Sequence, residues 1–169
     1  EYIALLSDRA KDISKYLLNN GKCIELNYLC DTESQEYLKV VKNCEKQDII
    51  CKTTTKGPHR DDVLVSFDGV NASSYSSQGQ IRMAVLALKL AQFEYIAKSK
   101  QVKPILLLDD VFDKLDIIRV RQLIHLVGKD FFGQVFLTDT QQGRVEEIFK
   151  DSVIEHKIFT VEKDKIIVQ

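Results

Sequence analysis

The chain has 169 residues, 44% hydrophobic and 29% charged, a balance that predicts one soluble globular unit with a sizeable core. Its formal net charge of −1 excludes a global basic excess, so any DNA surface would be a local patch. No apolar run approaches membrane-spanning length and no secretory signal opens the chain, so a cytoplasmic setting without membrane contact is expected.

The first residue is Glu1 rather than Met, inside a helical pattern, which reads as a fragment or processed form. Ile3, Leu5, Leu6, Ala10, Ile13, Leu17 and Leu18 fall at amphipathic-helix spacing, and Asn19-Asn20-Gly21 ends that helix. Cys23 to Leu29 alternates as a half-exposed strand. Asp31 or Thr32 would cap a second helix from about Glu33 to Ile49. The four cysteines, Cys23, Cys30, Cys44 and Cys51, make no C-x-x-C pair and find no His at finger spacing. They read as reduced, buried thiols rather than zinc ligands. Lys52 to His59 is polar and contains the breaker Gly57-Pro58, so the main boundary is placed here, dividing 1–51 from 52–169.

Asp62 to Phe67 reads as a strand, and Asp68-Gly69 as a hairpin turn with a short return through Val70. After the polar loop Ser74–Ser77 comes a helix from about Gln78 to Lys98. Its Ile81, Met83, Val85, Leu86, Leu88, Leu90 and Phe93 leave little polar face, which predicts burial on every side. Ile105 to Leu108 is a short apolar run, the pattern of a parallel strand covered on both faces. A helix from about Asp116 to Val127, a second buried strand Val135–Leu137 and a short helix Val145–Phe149 follow. Ile158–Val161 and Ile166–Val168 form a terminal hairpin through Lys163-Asp164. Strand and helix alternate from residue 62 onward, so the class is α/β.

Three stretches carry chemistry. In "PILLLDDVFDKLD", Pro104 to Asp116, an apolar strand ends in Asp109 and Asp110, with Asp113 and Asp116 close behind. Ligands of open α/β sheets bind beyond the carboxyl ends of strands. Clustered carboxylates repel unless a cation or donors are present, and Mg²⁺ with substrate phosphates suits them. This is the pattern of a Walker B strand; the plainer alternative is that the acids mark a strand surfacing, with Asp116 a helix cap. In "SSQGQ", Ser76 to Gln80, a hydroxyl, a glycine and a helix N-terminus could hold an anion, or could be an ordinary cap. In "KGPHRDD", Lys56 to Asp62, Arg60 could reach a phosphate or pair locally with Asp61 or Asp62, and His59 reads as hydrogen-bonded structure. No G-x-x-x-x-G-K-[ST] loop occurs, so a Walker B-like strand here is half of a nucleotide site.

"KGPHRDDV", "SSQGQIRMAVLALKLAQ" and "PILLLDDVFDKLD", in this order, resemble the C-terminal half of the RecF family, ABC-type ATPases related to SMC heads. The match is detailed over about 56–140. The resemblance implies the C-terminal lobe of an ABC/SMC-like P-loop ATPase head, with part of a smaller α+β lid subdomain at 1–51. It places Ser77, Gln78, Gly79 and Gln80 at the signature, which contacts the γ-phosphate of ATP held by the other subunit. Asp109 falls at the Mg²⁺-supporting Walker B acid, Asp110 at the residue polarising the attacking water, and Asp116 at the D-loop. Gly57, His59, Arg60 and Asp61 match a family motif without an assigned role. Asp113 and Lys114 depart from the usual D-loop residues, Asp110 replaces the usual Glu, and Asp139 stands where many ABC proteins carry a switch histidine. The resemblance implies ATP and Mg²⁺ as cofactors, both needing an N-terminal half, with weak ATPase activity in a full-length dimer. It implies an ATP-dependent homodimer clamped on double-stranded or gapped DNA, working with RecR and RecO in repair and replication restart. The alternatives are a non-enzymatic interaction module and another SMC-like ATPase head.

Overall fold

The computed structural model describes residues 2–18, 21–30, 36–112, 115–129, 132–141, 143–150, 152–163 and 165–168. The expected cap at Asp31 or Thr32, the departures at Asp113 and Lys114, and the turn residue Asp164 lie outside them.

Helix α1, Tyr2–Leu18, buries Leu6, Ala10, Ile13, Leu17 and Leu18, one stripe at three- and four-residue spacing. Two serines on it organise the next element. Ser14 Oγ accepts the Ile24 amide at 3.0 Å and Ser7 Oγ accepts the Leu26 amide at 3.0 Å. Strand β1, Ile24–Leu29, is thereby tied to the helix it follows. Helix α2, Tyr37–Cys51, is different: none of its residues is buried, and Leu38, Ile49 and Ile50 are exposed. Cys30 and Cys51 are exposed and Cys23 and Cys44 half-buried, not the buried thiols expected.

Strand β2, Asp62–Phe67, pairs antiparallel with β1 from Ile24 opposite Phe67 to Leu29 opposite Asp62. The expected boundary at 52–59 therefore lies between two strands of one sheet. The hairpin turn has Asp68 and Gly69 at φ 49° and 82°, the mirror-image turn their types favour. Its return strand β3 is only Val70–Asn71, because the chain enters a one-turn helix α3, Ala72–Tyr75, at once.

Helix α4, Gln78–Lys100, buries Met83, Ala84, Leu86, Ala87, Leu90, Ala91, Phe93 and Ala97 against α1 and the core. Glu94 is buried too, and Arg9 of α1 donates to it bidentately at 2.5 and 2.6 Å. The pairing leaves neither charge isolated, which is what lets a carboxylate sit inside. The pair holds the guanidinium above its ordinary pKa, through the hydrogen bonds to Glu94.

The expectation that α4 is buried all round is corrected: Val85 is 51% exposed, and Ile81 and Ile96 are exposed beside it. Strands β4, Leu106–Leu108, and β5, Val135–Leu137, pair in parallel as expected, but they are not covered on both faces. Leu106 and Leu108 are buried, whereas Leu107 is 70% and Phe136 48% exposed. Side chains alternate across a strand, so one whole face of this pair lacks a covering layer among the described residues. Behind the covered face lie α5, Ile117–Val127, and α6, Arg144–Phe149. The terminal hairpin, β6 Phe159–Glu162 with β7 Lys165–Val168, projects Val161 and Ile166 outward.

Candidate functional site

The β4–β5 pair sets the geometry of the two acids. The Thr138 amide donates to Leu108 O at 3.0 Å, continuing the ladder one step past the strands. That places the Thr138 hydroxyl between consecutive carboxylates. Thr138 Oγ1 donates to Asp109 Oδ1 at 2.5 Å and accepts the Asp110 amide at 2.9 Å. One side chain thus fixes the Asp109 carboxylate and the Asp110 backbone. Asp110 has φ 46°, the left-handed region, which Asp occupies more readily than most residues. This gives a local reason for Asp rather than Glu here. Both acids are exposed at the end of a groove of about 550 Å³ between α4 and β4, walled by Ile81, Val85, Phe93, Ile105 and Leu107.

Ser77 caps α4. Its Oγ accepts the Gln80 amide at 3.3 Å, and Gln80 Oε1 accepts the Ser77 amide at 2.9 Å, a complete capping box. The Ile81 amide bonds Ser77 O at 3.0 Å. The cap and the anion-site readings are therefore not exclusive. The box satisfies Gln80, and the amides of Gln78 and Gly79 are the orphan donors of the first turn. Gly79 lies in helical backbone, and a Cβ there would sit 3.5 Å from Arg119 Nη1 and 4.0 Å from Ser77 Oγ.

Asp116 caps α5, accepting the Arg119 amide on Oδ1 at 2.9 Å, and its Oδ2 lies 3.4 Å from Arg119 Nε. Arg119 therefore spans from the Asp116 cap to Gly79. The fold brings together Ser77, Gly79 and Asp116 by this bridge, and Asp109 with Asp110 by Thr138.

Asp139 is no free sensor of phosphate. Its side chain is 1% exposed, it pairs with Arg144 at 3.4 Å, and it accepts the Gln141 amide at 3.0 Å.

The segment 48–61 forms a separate knot. Asp48 Oδ1 accepts the Thr55 amide at 2.8 Å and also the Thr55 hydroxyl. Those bonds hold the Asp48 carboxyl below its ordinary pKa, with His59 and Arg60 adding smaller contributions of the same sign. Thr54 O meets the His59 ring at 3.0 Å and accepts from Arg60 Nε and Nη2 at 3.3 Å. Asp61 accepts the Tyr28 hydroxyl, which raises the phenol's pKa. The hydrogen-bonded role expected of His59 is realised. The expected pairing of Arg60 with Asp61 or Asp62 is replaced, because Thr54 O lies nearer its guanidinium and Asp61 is taken by Tyr28. Gly57 is required by its φ of 140°, a conformation other residues rarely adopt.

Thr138, Arg119, Tyr28 and Arg144 were not singled out from sequence as site or motif partners. A hydroxyl directly after the second strand was the one available signal for Thr138. Among the described residues no group of three or more His, Cys, Asp or Glu gathers as a metal cage. A Mg²⁺ that takes one or two carboxylates and completes its shell with phosphate and water does not need one, so the Asp109 oxygens fit it by type.

No protein-family model matches the chain. It is 35% identical over 167 residues to the DNA replication and repair protein RecF of Phocaeicola vulgatus, covering 98% of this chain and 45% of the relative. It is 33% identical over 166 residues to that of Cytophaga hutchinsonii, covering 98% and 44%. The chain thus spans less than half the length of these curated relatives. Among solved structures, the recombination mediator protein RecF-ATPrS in the RecFOR pathway superposes with a TM-score of 0.72 at 23% identity, covering 99% of this chain and 44% of that one. The Smc head domain from Pyrococcus furiosus superposes with a TM-score of 0.60 at 15% identity, covering 98% and 35%. These likenesses show the fold: mixed α/β, as in part of a RecF or SMC head.

Proposed function

The chain belongs to the RecF family, and we propose that it supplies the signature and Walker B half of an ATP site in an ATP-dependent DNA-binding clamp for repair and replication restart of gapped DNA. The observation that carries this reading is the Asp109–Thr138–Asp110 arrangement at the carboxyl end of β4. In this reading 52–169 is the signature-bearing lobe and 1–51 part of a lid. The uncovered face at Leu107 and Phe136 supports a lobe that packs against a further layer. The relatives' name supports the DNA-repair role, and the relative described as RecF-ATPrS supports ATP as the ligand. ATP-driven dimerisation is described for SMC ATPases of the same fold, superposing with a TM-score of 0.57 at 14% identity. Double-stranded or gapped DNA, RecR and RecO are the proposed partners.

Asp109 would hold Mg²⁺, which when bound neutralises phosphate charge. Thr138 keeps the Asp109 carboxylate aimed by occupying one of its oxygens. Asp110 would orient the attacking water and accept its proton. The amides of Gln78 and Gly79 would face the γ-phosphate of ATP held by a second subunit, with Asp116 near the dimer contact. Hydrolysis resets the clamp and is slow, since the shorter Asp stands in place of Glu.

In the intact protein, Ser77→Arg is expected to abolish ATP-dependent dimerisation in sedimentation. If that variant dimerises normally with ATP, the role given to Ser77 falls. This chain alone should bind ATP weakly in calorimetry; micromolar affinity would contradict the division of the site.

A further inference from the structure

We propose that Arg119 is a positioning residue that locks the Ser77–Gln80 turn to the Asp116 cap, so that the two move as one body. The proposal rests on the reading of these stretches as parts of one nucleotide site, and its test separates the two claims. Three geometric facts carry it. The Arg119 guanidinium lies 3.4 Å, through Nε, from Asp116 Oδ2. Its Nη1 lies 3.5 Å from the point a Cβ at Gly79 would occupy, with Ser77 Oγ 4.0 Å from the same point. The same residue's backbone amide donates to Asp116 Oδ1 at 2.9 Å, so the cap and the guanidinium share one carboxylate.

The planar fork is what makes one side chain sufficient. Nε faces the carboxylate while Nη1 lies across the glycine, so orientation at one end fixes orientation at the other. Lys would supply charge but no fork. The position of Gly79 also acquires a reason besides ligand approach. Its φ is helical, so backbone conformation does not demand glycine; the absent side chain is where the guanidinium rests. A methyl at 3.5 Å is ordinary contact, so Ala fits, whereas a longer side chain would displace Arg119.

The consequence is mechanical. A signature turn that is free to fray presents its orphan amides in many directions. Bridged by Arg119, the turn is referenced to the start of α5, whose buried Val120, Leu123 and Ile124 anchor it in the core. A movement at the Asp116 end is passed to Gly79, and the reverse.

The test uses Arg119→Gln and Arg119→Lys in the intact protein. Residue-resolved hydrogen exchange is read at the amides of Gln80 and Ile81, which bond Ser77 Oγ and Ser77 O. Thermal melting and ATP-dependent sedimentation are measured alongside. Arg119→Gln is expected to speed exchange at these two amides about tenfold relative to parent, the loss of one charge-assisted contact of this size, with a melting temperature close to parent. The same variant is expected to weaken ATP-driven dimerisation, and Lys not to restore either. Exchange within twofold of parent, or full rescue by Lys, overturns the coupling. Faster exchange with normal ATP-driven dimerisation leaves the coupling standing and overturns the nucleotide reading.

Discussion

The end of β4 and the 48–61 knot are both dense in polar side chains, yet they spend them differently. In the knot, Asp48, His59, Arg60 and Asp61 are each engaged by Thr55, Thr54 or Tyr28, so donors and acceptors close on one another. At β4 one hydroxyl serves two acids, and among the described residues the Asp110 carboxylate accepts no hydrogen bond. A closed set stabilises a loop, and an open set leaves capacity for a ligand. The contrast is why the account assigns chemistry to Asp109 and Asp110 and structure to the Gly57–Asp61 motif.

The contrast breaks if the two regions respond alike to substitution. The largest effect is expected at Asp110. Asp110→Asn should slow ATP hydrolysis by roughly 100-fold, the low end of a general base's contribution, while melting stays close to parent. In the knot, Gly57→Ala should cost about 1–3 kcal/mol of unfolding free energy in denaturant titration, since φ 140° is strained for any side chain. A Cβ there would also approach the His59 ring to 3.1 Å. Thr138→Val keeps the branched shape and removes both hydrogen bonds. It should lower the hydrolysis rate about tenfold, of the order of one charge-assisted bond, with little change in melting.

The smallest effect is expected from acid. The Asp48 carboxyl is held below its ordinary 3.8 in the folded state by the Thr55 bonds. Its contribution is complete above that ordinary value and is lost as pH falls through the lower folded value. Asp48→Asn should therefore flatten the pH dependence of melting only below about pH 4. An unchanged acid limb would remove Asp48 from the knot's stability.

Local features were the legible ones. The Ser77 cap, the Asp68-Gly69 turn and the β4 run followed by two acids depend on neighbours within a few residues, and the structure places each as read. Thr138 acts on Asp109 across 29 positions, and nothing local marks a threonine as the partner of a distant carboxylate. Arg119 likewise meets Gly79 only through tertiary packing. The runs at 105–108 and in α4 predicted burial on every side because hydrophobicity reports which residues avoid water, not what covers them. Leu107, Phe136 and Val85 form an apolar face with no covering layer among the described residues. The Arg60 pairing misread sequence adjacency as contact, and the backbone turn at Gly57 delivered a carbonyl instead.

The measurement closest to the central claim is ATP turnover by Asp110→Asn in the intact protein, read beside ATP-dependent sedimentation. The account predicts a dimer that forms with ATP as in parent and hydrolyses it roughly 100-fold more slowly. Parent-like hydrolysis with an intact dimer would contradict it.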